Sequence, residues 1–343
     1  MSRIGELGEA AIAARLEGTG LPLDFGAARV RVFSDHLPLA VAMTQVYRDY
    51  PVFEGESAFT VTAAVRRASG VRRLLRAQIR FVVDGDAPFE PFPAETHLPL
   101  LEWGLNWCIA NRSHHRLMLH AGVVARDGLA VLLPAYPGSG KSTLTAALML
   151  SGWRLLSDEF GVLNPAEPAV LHPLLRPVAL KNESIDVIRA MYPGAAIGPA
   201  FPRTRKGTVA HIAPARACID SCHRGATARL VVFPKYDSSG GLEIEPVAKA
   251  RAFVKLAGNA FNYETLGPQA FHAVRAVVDR CDCYQLRYRR LDDALAAING
   301  FLRGIAPASQ PLQPARAQAD GDSTAYASQA GSSAAAPASP TLQ

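Results

Sequence analysis

The segment Gly138-Ser139-Gly140-Lys141-Ser142-Thr143 constrains this chain more than any other. An apolar run, Leu129 to Leu133, leads into it, and Leu144 to Leu150 continue with helix-forming residues until Gly152 offers a stop. The order is strand, small-residue loop, helix. Pro137 opens the loop. Gly138 and Gly140 lack a Cβ, so backbone N–H groups can converge on one point, and the new helix aims its positive end at the same place. Lys141 would then reach the β- and γ-phosphates of a nucleotide, and the Ser142 hydroxyl would help hold Mg²⁺. Ala135 stands where the full pattern has a glycine. The strand and helix that the motif requires are both present, so a nucleotide phosphate site is expected over a chance glycine-rich turn.

Two features beside the loop narrow the class. His120 lies in the apolar run Leu117 to Val124, which reads as a strand, and Arg126-Asp127-Gly128 marks a tight turn into Leu129. A hairpin feeding such a loop is unusual, because parallel-sheet nucleotide folds separate neighbouring strands with a helix. After the helix, Trp153 to Ser157 read as a strand that ends in Asp158-Glu159. If that strand runs parallel to the one before the loop, both acids lie at the carboxyl edge of the sheet, beside the phosphates. Taken alone, His120 reads first as a satisfied core histidine, whereas capping of a turn is the lesser reading of the acids.

Together these residues resemble the catalytic domain of HPr serine kinase/phosphorylase, and more closely the shorter HPr-kinase-related proteins of the A type. The likeness rests on Leu119-His120-Ala121, the hairpin, the glycine loop and the Asp158-Glu159 pair, and it spans roughly residues 115 to 300. It implies an α/β P-loop kinase fold with a mixed sheet like that of HPr kinase and phosphoenolpyruvate carboxykinase. It implies ATP as donor, Mg²⁺ as cofactor and a serine hydroxyl as acceptor. By position, Asp158 becomes the general base near His120, and Glu159 with Ser142, beside Asp158, holds the Mg²⁺. Arg176 and Lys181 match a recurring Arg-Pro and Leu-Lys pattern and become candidates for phosphate or acceptor contact; surface placement without function explains them equally. Related kinases act on serine of peptide precursors beside a small PqqD-like peptide-chaperone domain, so a protein or peptide acceptor is expected. The glycine-rich segment that full-length HPr kinases carry after the acid pair is absent here, which leaves HPr itself and the reverse phosphorolysis unsupported.

Phosphoryl transfer asks a site for positioning, Mg²⁺, positive charge and a proton acceptor, and little else. A carboxylate paired with a histidine can have its basicity tuned toward working pH. Lys141, His120 and Asp158 therefore form the expected catalytic set. The loop Ala200 to Thr208 reads as flexible and basic, and Lys206 within it could close over the triphosphate. The competing reading is a nucleotide-binding regulatory protein with little or no transfer, which would need no pairing of His120 with Asp158. A decarboxylating carboxykinase is weaker, since no paired metal-ligating lysine and histidine is apparent.

The rest of the chain sets bounds. A chain of 343 residues with 49% hydrophobic and 19% charged residues is expected to fold as globular domains. No apolar run reaches the roughly 18 residues of a membrane span. Met1 to Arg15 read as an amphipathic helix without a signal-peptide layout, and five cysteines fit reduced thiols, so a cytoplasmic protein is expected. Cys218 with Cys222-His223, and Cys281 with Cys283, lack the common zinc spacing. The net charge of +6 invites a nucleic-acid partner. However, Arg66, Arg67, Arg72, Arg73, Arg76 and Arg80 fall on or between two strands about a Ser69-Gly70 turn, where alternating arginines mark a solvated face.

Residues 1–112 read as a small N-terminal α+β domain, with a strand at Val30 to Phe33 and helices at Leu37 to Tyr47 and Leu98 to Ala110. Trp103 and Trp107 fall at helical spacing and read as core. Residues 113–304 are expected, from the resemblance, to form the HPr-kinase-like P-loop catalytic domain. It has a buried strand at Arg229 to Pro234, helices at Val247 to Asn259, Pro268 to Asp279 and Leu291 to Leu302, and a strand at Cys283 to Tyr288. Residues 305–343, rich in Ala, Ser and Pro, cannot bury enough surface to order themselves. No nucleic-acid or membrane partner is expected; a homo-oligomer is left open.

Overall fold

A computed structural model describes residues 2–53, 58–68, 77–136 and 138–304 of the chain. Pro137, Ser69-Gly70, Arg72, Arg73, Arg76 and the Ala/Ser/Pro-rich segment 305–343 lie outside the described residues. The architecture is mixed α/β with mixed sheets. The first sheet holds β1 (Leu21–Asp24), β2 (Arg29–Ser34), β3 (Val61–Arg67), β4 (Gln78–Val83) and β5 (Phe92–Pro93), in that order. Only β2 and β3 pair parallel. The expected amphipathic start of the chain breaks at Gly8 into helices Ile4–Leu7 and Glu9–Glu17. Helix Glu9–Glu17 and the longer helix His97–Arg112 pack on this sheet, with helix Leu37–Val46 against both, and a Cβ placed at Gly104 would lie 2.3 Å from the Phe81 ring.

The second sheet contains β6 (Leu117–Arg126), β7 (Leu129–Pro134), β8 (Arg154–Ser157), β9 (Phe160–Leu163) and β10 (Val170–His172). A separate three-stranded sheet joins β11 (Val178–Lys181), β12 (Phe201–Thr204) and β13 (Gly207–Ile212), and β14 (Ala226–Tyr236), β15 (Glu243–Pro246) and β16 (Asp282–Tyr288) complete the second. The β6–β7 hairpin forms as the turn residues dictate. Asp127 and Gly128 both have positive φ, the geometry whose twist matches paired antiparallel strands. On the far side β7 pairs parallel with β14, and β14 with β16.

β6 organises the second sheet because its ten residues are long enough to pair with three partners, β7, β8 and β9. Its side chains alternate between two cores. Leu117, Leu119, Ala121, Val123 and Ala125 enter one core with the helices Lys249–Ala257 and Pro268–Arg280, while Met118 and Val124 enter the other, which contains helix Lys141–Leu150. The same alternation puts His120 and Gly122 on the face of that helix. There the backbones approach closely: a Cβ on Gly122 would lie 2.3 Å from Thr145 Oγ1.

The loop expected at 200–208 is instead the β12–β13 hairpin, with Arg205 and Lys206 at its turn. Phe201 pairs with Val209 across it, and those buried apolar residues anchor a basic segment whose composition alone reads as a loop. The cysteines do not gather into one metal site. Cys281 and Cys283 lie in one core, and Cys218 in the other, where its sulfur accepts from the Leu155 amide. Cys222 and His223 come near Asp24, but Arg29 Nε and the Gly26 amide already engage that carboxylate. Among the described residues, no helix is long and apolar enough to cross a membrane.

Candidate functional site

The site forms where β6, β7 and β8 end and the helix Lys141–Leu150 begins. β8 pairs antiparallel with β6, which pairs antiparallel with β7, so β8 and β7 run in the same direction although β6 separates them. Their carboxyl ends therefore share one edge. From β7 the chain enters the glycine loop, and from β8 it reaches Asp158 and Glu159. The expectation that both features meet at one sheet edge holds, through an intervening strand.

Gly138 and Gly140 sit at φ +84° and +83°, where a side chain would be strained. Gly140 is also crowded: a Cβ there would lie 2.6 Å from the Tyr288 hydroxyl, which donates to the Gly140 carbonyl at 3.3 Å. The Tyr236 amide donates to the Ser139 carbonyl at 3.0 Å, so β14 and β16 brace the loop from behind. Ser139 Oγ donates to the Tyr136 carbonyl at 2.7 Å. Ser142 and Thr143 follow in the first helical turn, whose amides have no intrahelical partner.

Lys141 is 7% exposed, and its side chain turns across the sheet edge to the acids. Nζ donates to the carbonyl of Asp158 and lies 3.3 Å from Asp158 Oδ1 and 3.8 Å from Glu159 Oε2. Ser157 Oγ accepts from the amides of Glu159 and Phe160, making the tight turn from β8 to β9. The turn sends the two carboxylates different ways. Asp158 is 7% exposed and faces Lys141, while the Glu159 side chain, 41% exposed, reaches His120, with Nε2 3.5 Å from Oε1. The pairing of His120 with Asp158 is thus corrected: the histidine meets Glu159, because adjacent residues at a strand end point apart. Burial opposes the Glu159 charge, but the Lys141 ammonium, the contact with His120 and the more distant Lys181 hold its carboxyl far below the usual range.

His120 is fixed in place on both sides. Its amide donates to the Asn259 carbonyl, the Asn259 side chain donates back to the His120 carbonyl, and the ring tilts against Phe261 at 5.6 Å. Phe261 in turn packs on Phe160, so an aromatic wall backs the acid pair.

A small cleft opens beside these acids. Lys181 and Lys206 line it, Lys206 from a hairpin turn with Nζ 5.8 Å from the Trp103 ring centre. Trp103, read from spacing as core, is half-buried on the cleft wall. Arg176 also borders the cleft, but its guanidinium is buried and committed to the protein: it bonds the Glu102 carboxylate and carbonyl and the Asn106 amide oxygen. It is placed to hold the wall rather than to meet a phosphate. Sequence reasoning passed over His211, whose ring lies in the cleft wall and is 1% exposed. Its only signal was a lone histidine in the apolar run Val209 to Ile212, the same signal that drew attention to His120.

The residues brought together are Lys141, Asp158, Glu159 and His120, with Ser142 and Thr143 at the adjoining helix start. This set offers a polyphosphate grip, hard oxygen donors of the kind Mg²⁺ prefers, and carboxylates able to take a proton. No protein-family model matches the chain, and no curated protein matches it.

Proposed function

We propose that the chain is an ATP- and Mg²⁺-dependent P-loop kinase of the HPr-kinase-like type, transferring the γ-phosphoryl group to a hydroxyl, most readily serine of a protein or peptide. The observation that carries this reading is the convergence of Lys141 on Asp158 and Glu159 at the edge where the glycine loop opens a helix. The positive φ of Gly138 and Gly140 and the free first turn of the helix fit a phosphate cradle. Ser142, Glu159 and Asp158 supply the oxygen donors for Mg²⁺, which when bound neutralises charge on the phosphates.

The chain's own residues would then divide the work. Lys141, which lies against the acids, would reach the β- and γ-phosphates, and the Asp158 carboxylate faces the cleft. There it accepts the proton of the acceptor hydroxyl as that oxygen bonds the γ-phosphorus and the bond to the β-phosphate oxygen breaks, leaving ADP. His120 holds the Glu159 carboxylate in place from the opposite side.

Asp158→Asn separates this reading from a regulatory nucleotide binder. The variant should bind an unhydrolysable ATP analogue within a few-fold of the parent, while transfer of labelled phosphate to protein substrates falls by about a hundredfold or more. Undetectable transfer by the parent, with tight nucleotide binding, would favour the regulatory reading.

A further inference from the structure

The cleft beside Asp158 and Glu159 leads away from the glycine loop: among the described residues, none of its wall comes from 138–143. Its wall carries the exposed ammonium groups of Lys181 and Lys206, neither of which has an ion pair or a hydrogen bond to its Nζ among the described residues. Of the cleft's other charges, Glu102 is paired with Arg176, and Lys141 contacts both Asp158 and Glu159. Desolvation and the neighbouring Lys206 lower the Lys181 ammonium from its usual value, against the opposing pull of Glu159 and Asp158.

In the same wall, both ring nitrogens of His211 lie buried without a hydrogen-bond partner among the described residues. Burial pushes this imidazole down to about 4, so at neutral pH it is uncharged and offers one N–H donor and one acceptor. A buried polar ring left unpartnered is costly unless something in the cleft satisfies it. The half-buried Trp103 adds a flat apolar surface beneath Lys206.

We propose that this cleft seats the phosphoryl acceptor, and that the acceptor carries a carboxylate next to its hydroxyl, as a small hydroxy acid or as an acidic side chain flanking a serine. The proposal rests on the phosphotransferase reading. The carboxylate lies between Lys181 and Lys206, the polar backbone or hydroxyl of the acceptor satisfies His211, and the reacting hydroxyl faces Asp158. The phosphoryl group passes from the β-phosphate oxygen to the acceptor oxygen, and the acceptor's proton passes to the Asp158 carboxylate.

The full chain is titrated, by intrinsic tryptophan fluorescence in the presence of an unhydrolysable ATP analogue, with four probes. These are end-capped tripeptides with serine flanked by glutamates, alanines or lysines, and D-glycerate. The glutamate peptide or D-glycerate should bind about tenfold tighter than the alanine peptide, with the lysine peptide weaker still. Whichever of the two binds identifies the source of the carboxylate. Lys206→Glu should remove that preference, and Lys206→Met, which keeps the stem over Trp103, should weaken it severalfold. Equal binding of the three peptides without binding of D-glycerate overturns the proposal, as does an unchanged preference in both Lys206 variants. Calorimetry of the ATP analogue alone, on the parent chain, tests the phosphotransferase reading separately: nucleotide bound without a charge preference removes this proposal and leaves that reading standing.

Discussion

Lys141 and Glu159 set the electrostatics of the sheet edge between them. A buried ammonium within 4 Å of two carboxylates is a stable arrangement only while the acids are ionised. The Glu159 carboxyl is held well below its ordinary value of 4.5, so the unfolded chain takes up this proton more readily than the folded one. Stability from this contact is therefore complete above about 4.5 and drains away as pH falls below it toward the depressed folded value. Glu159→Gln should remove that dependence. Thermal unfolding of the two proteins should show a parent advantage at neutral pH that narrows below about pH 4.5, and a gap that stays constant into stronger acid would contradict the assignment. The shift should be modest, since solvent reaches the carboxylate and screens it.

At the scale of elements, helix His97–Arg112 matters because it carries Glu102, Trp103 and Asn106 to the cleft wall. Gly104 lets it lie flat on β4: a Cβ there would stand 2.3 Å from Phe81 Cδ2 and Cε2. Alanine is the better helix former by about 1 kcal/mol, so an exposed glycine at this place would gain from the change. Here the ring is fully buried and cannot yield, and Gly104→Ala should cost about 1–3 kcal/mol by overpacking. Adding Phe81→Leu should recover most of it, as read from urea unfolding midpoints; a stabilised single variant would mean the helix stands off the sheet. Which elements form was legible from the chain wherever the pattern is local. The hairpin at Asp127-Gly128, the strand before the glycine loop and the closing helices follow from turn residues and periodicity. What was not legible depends on partners far away in sequence. Arg203, Arg205 and Lys206, in β12 and the turn after it, give too little alternation to announce a hairpin, and it is pairing with β13, itself paired with β11, that holds them. Trp103 has the spacing of a core residue, yet it lies half-buried on the cleft wall beside Lys206 and Phe92. The acid pair was found, but not which acid meets His120, because that depends on the turn made by Ser157.

For the molecule as a whole, residues up to Gly304 form one compact unit, and a single apolar core runs from Ile4 through the first sheet to helix Lys141–Leu150 and the three-stranded sheet. A polar network crosses that core. Tyr47 donates to the Glu102 carboxylate, Arg176 bonds both Glu102 and Asn106, and Tyr50 donates to the Leu175 carbonyl at 2.8 Å. Helix Leu37–Val46, ending just before Tyr47, helix His97–Arg112 and the segment between β10 and β11 are thereby locked to one another, and the cleft wall with them. A buried ion pair of this kind adds little net stability over apolar residues of similar volume, yet losing one partner strands the other charge. Arg176→Met should therefore cost about 3–5 kcal/mol in chemical denaturation, and Glu102→Leu in the same chain should return much of that loss. The doubly substituted protein should regain its folding midpoint while its acceptor preference weakens, because the wall that supports Trp103 and faces Lys206 is no longer pinned by the guanidinium. Recovery of both properties together would mean that the pair serves stability alone and that the cleft is shaped by the hairpin of β12 and β13.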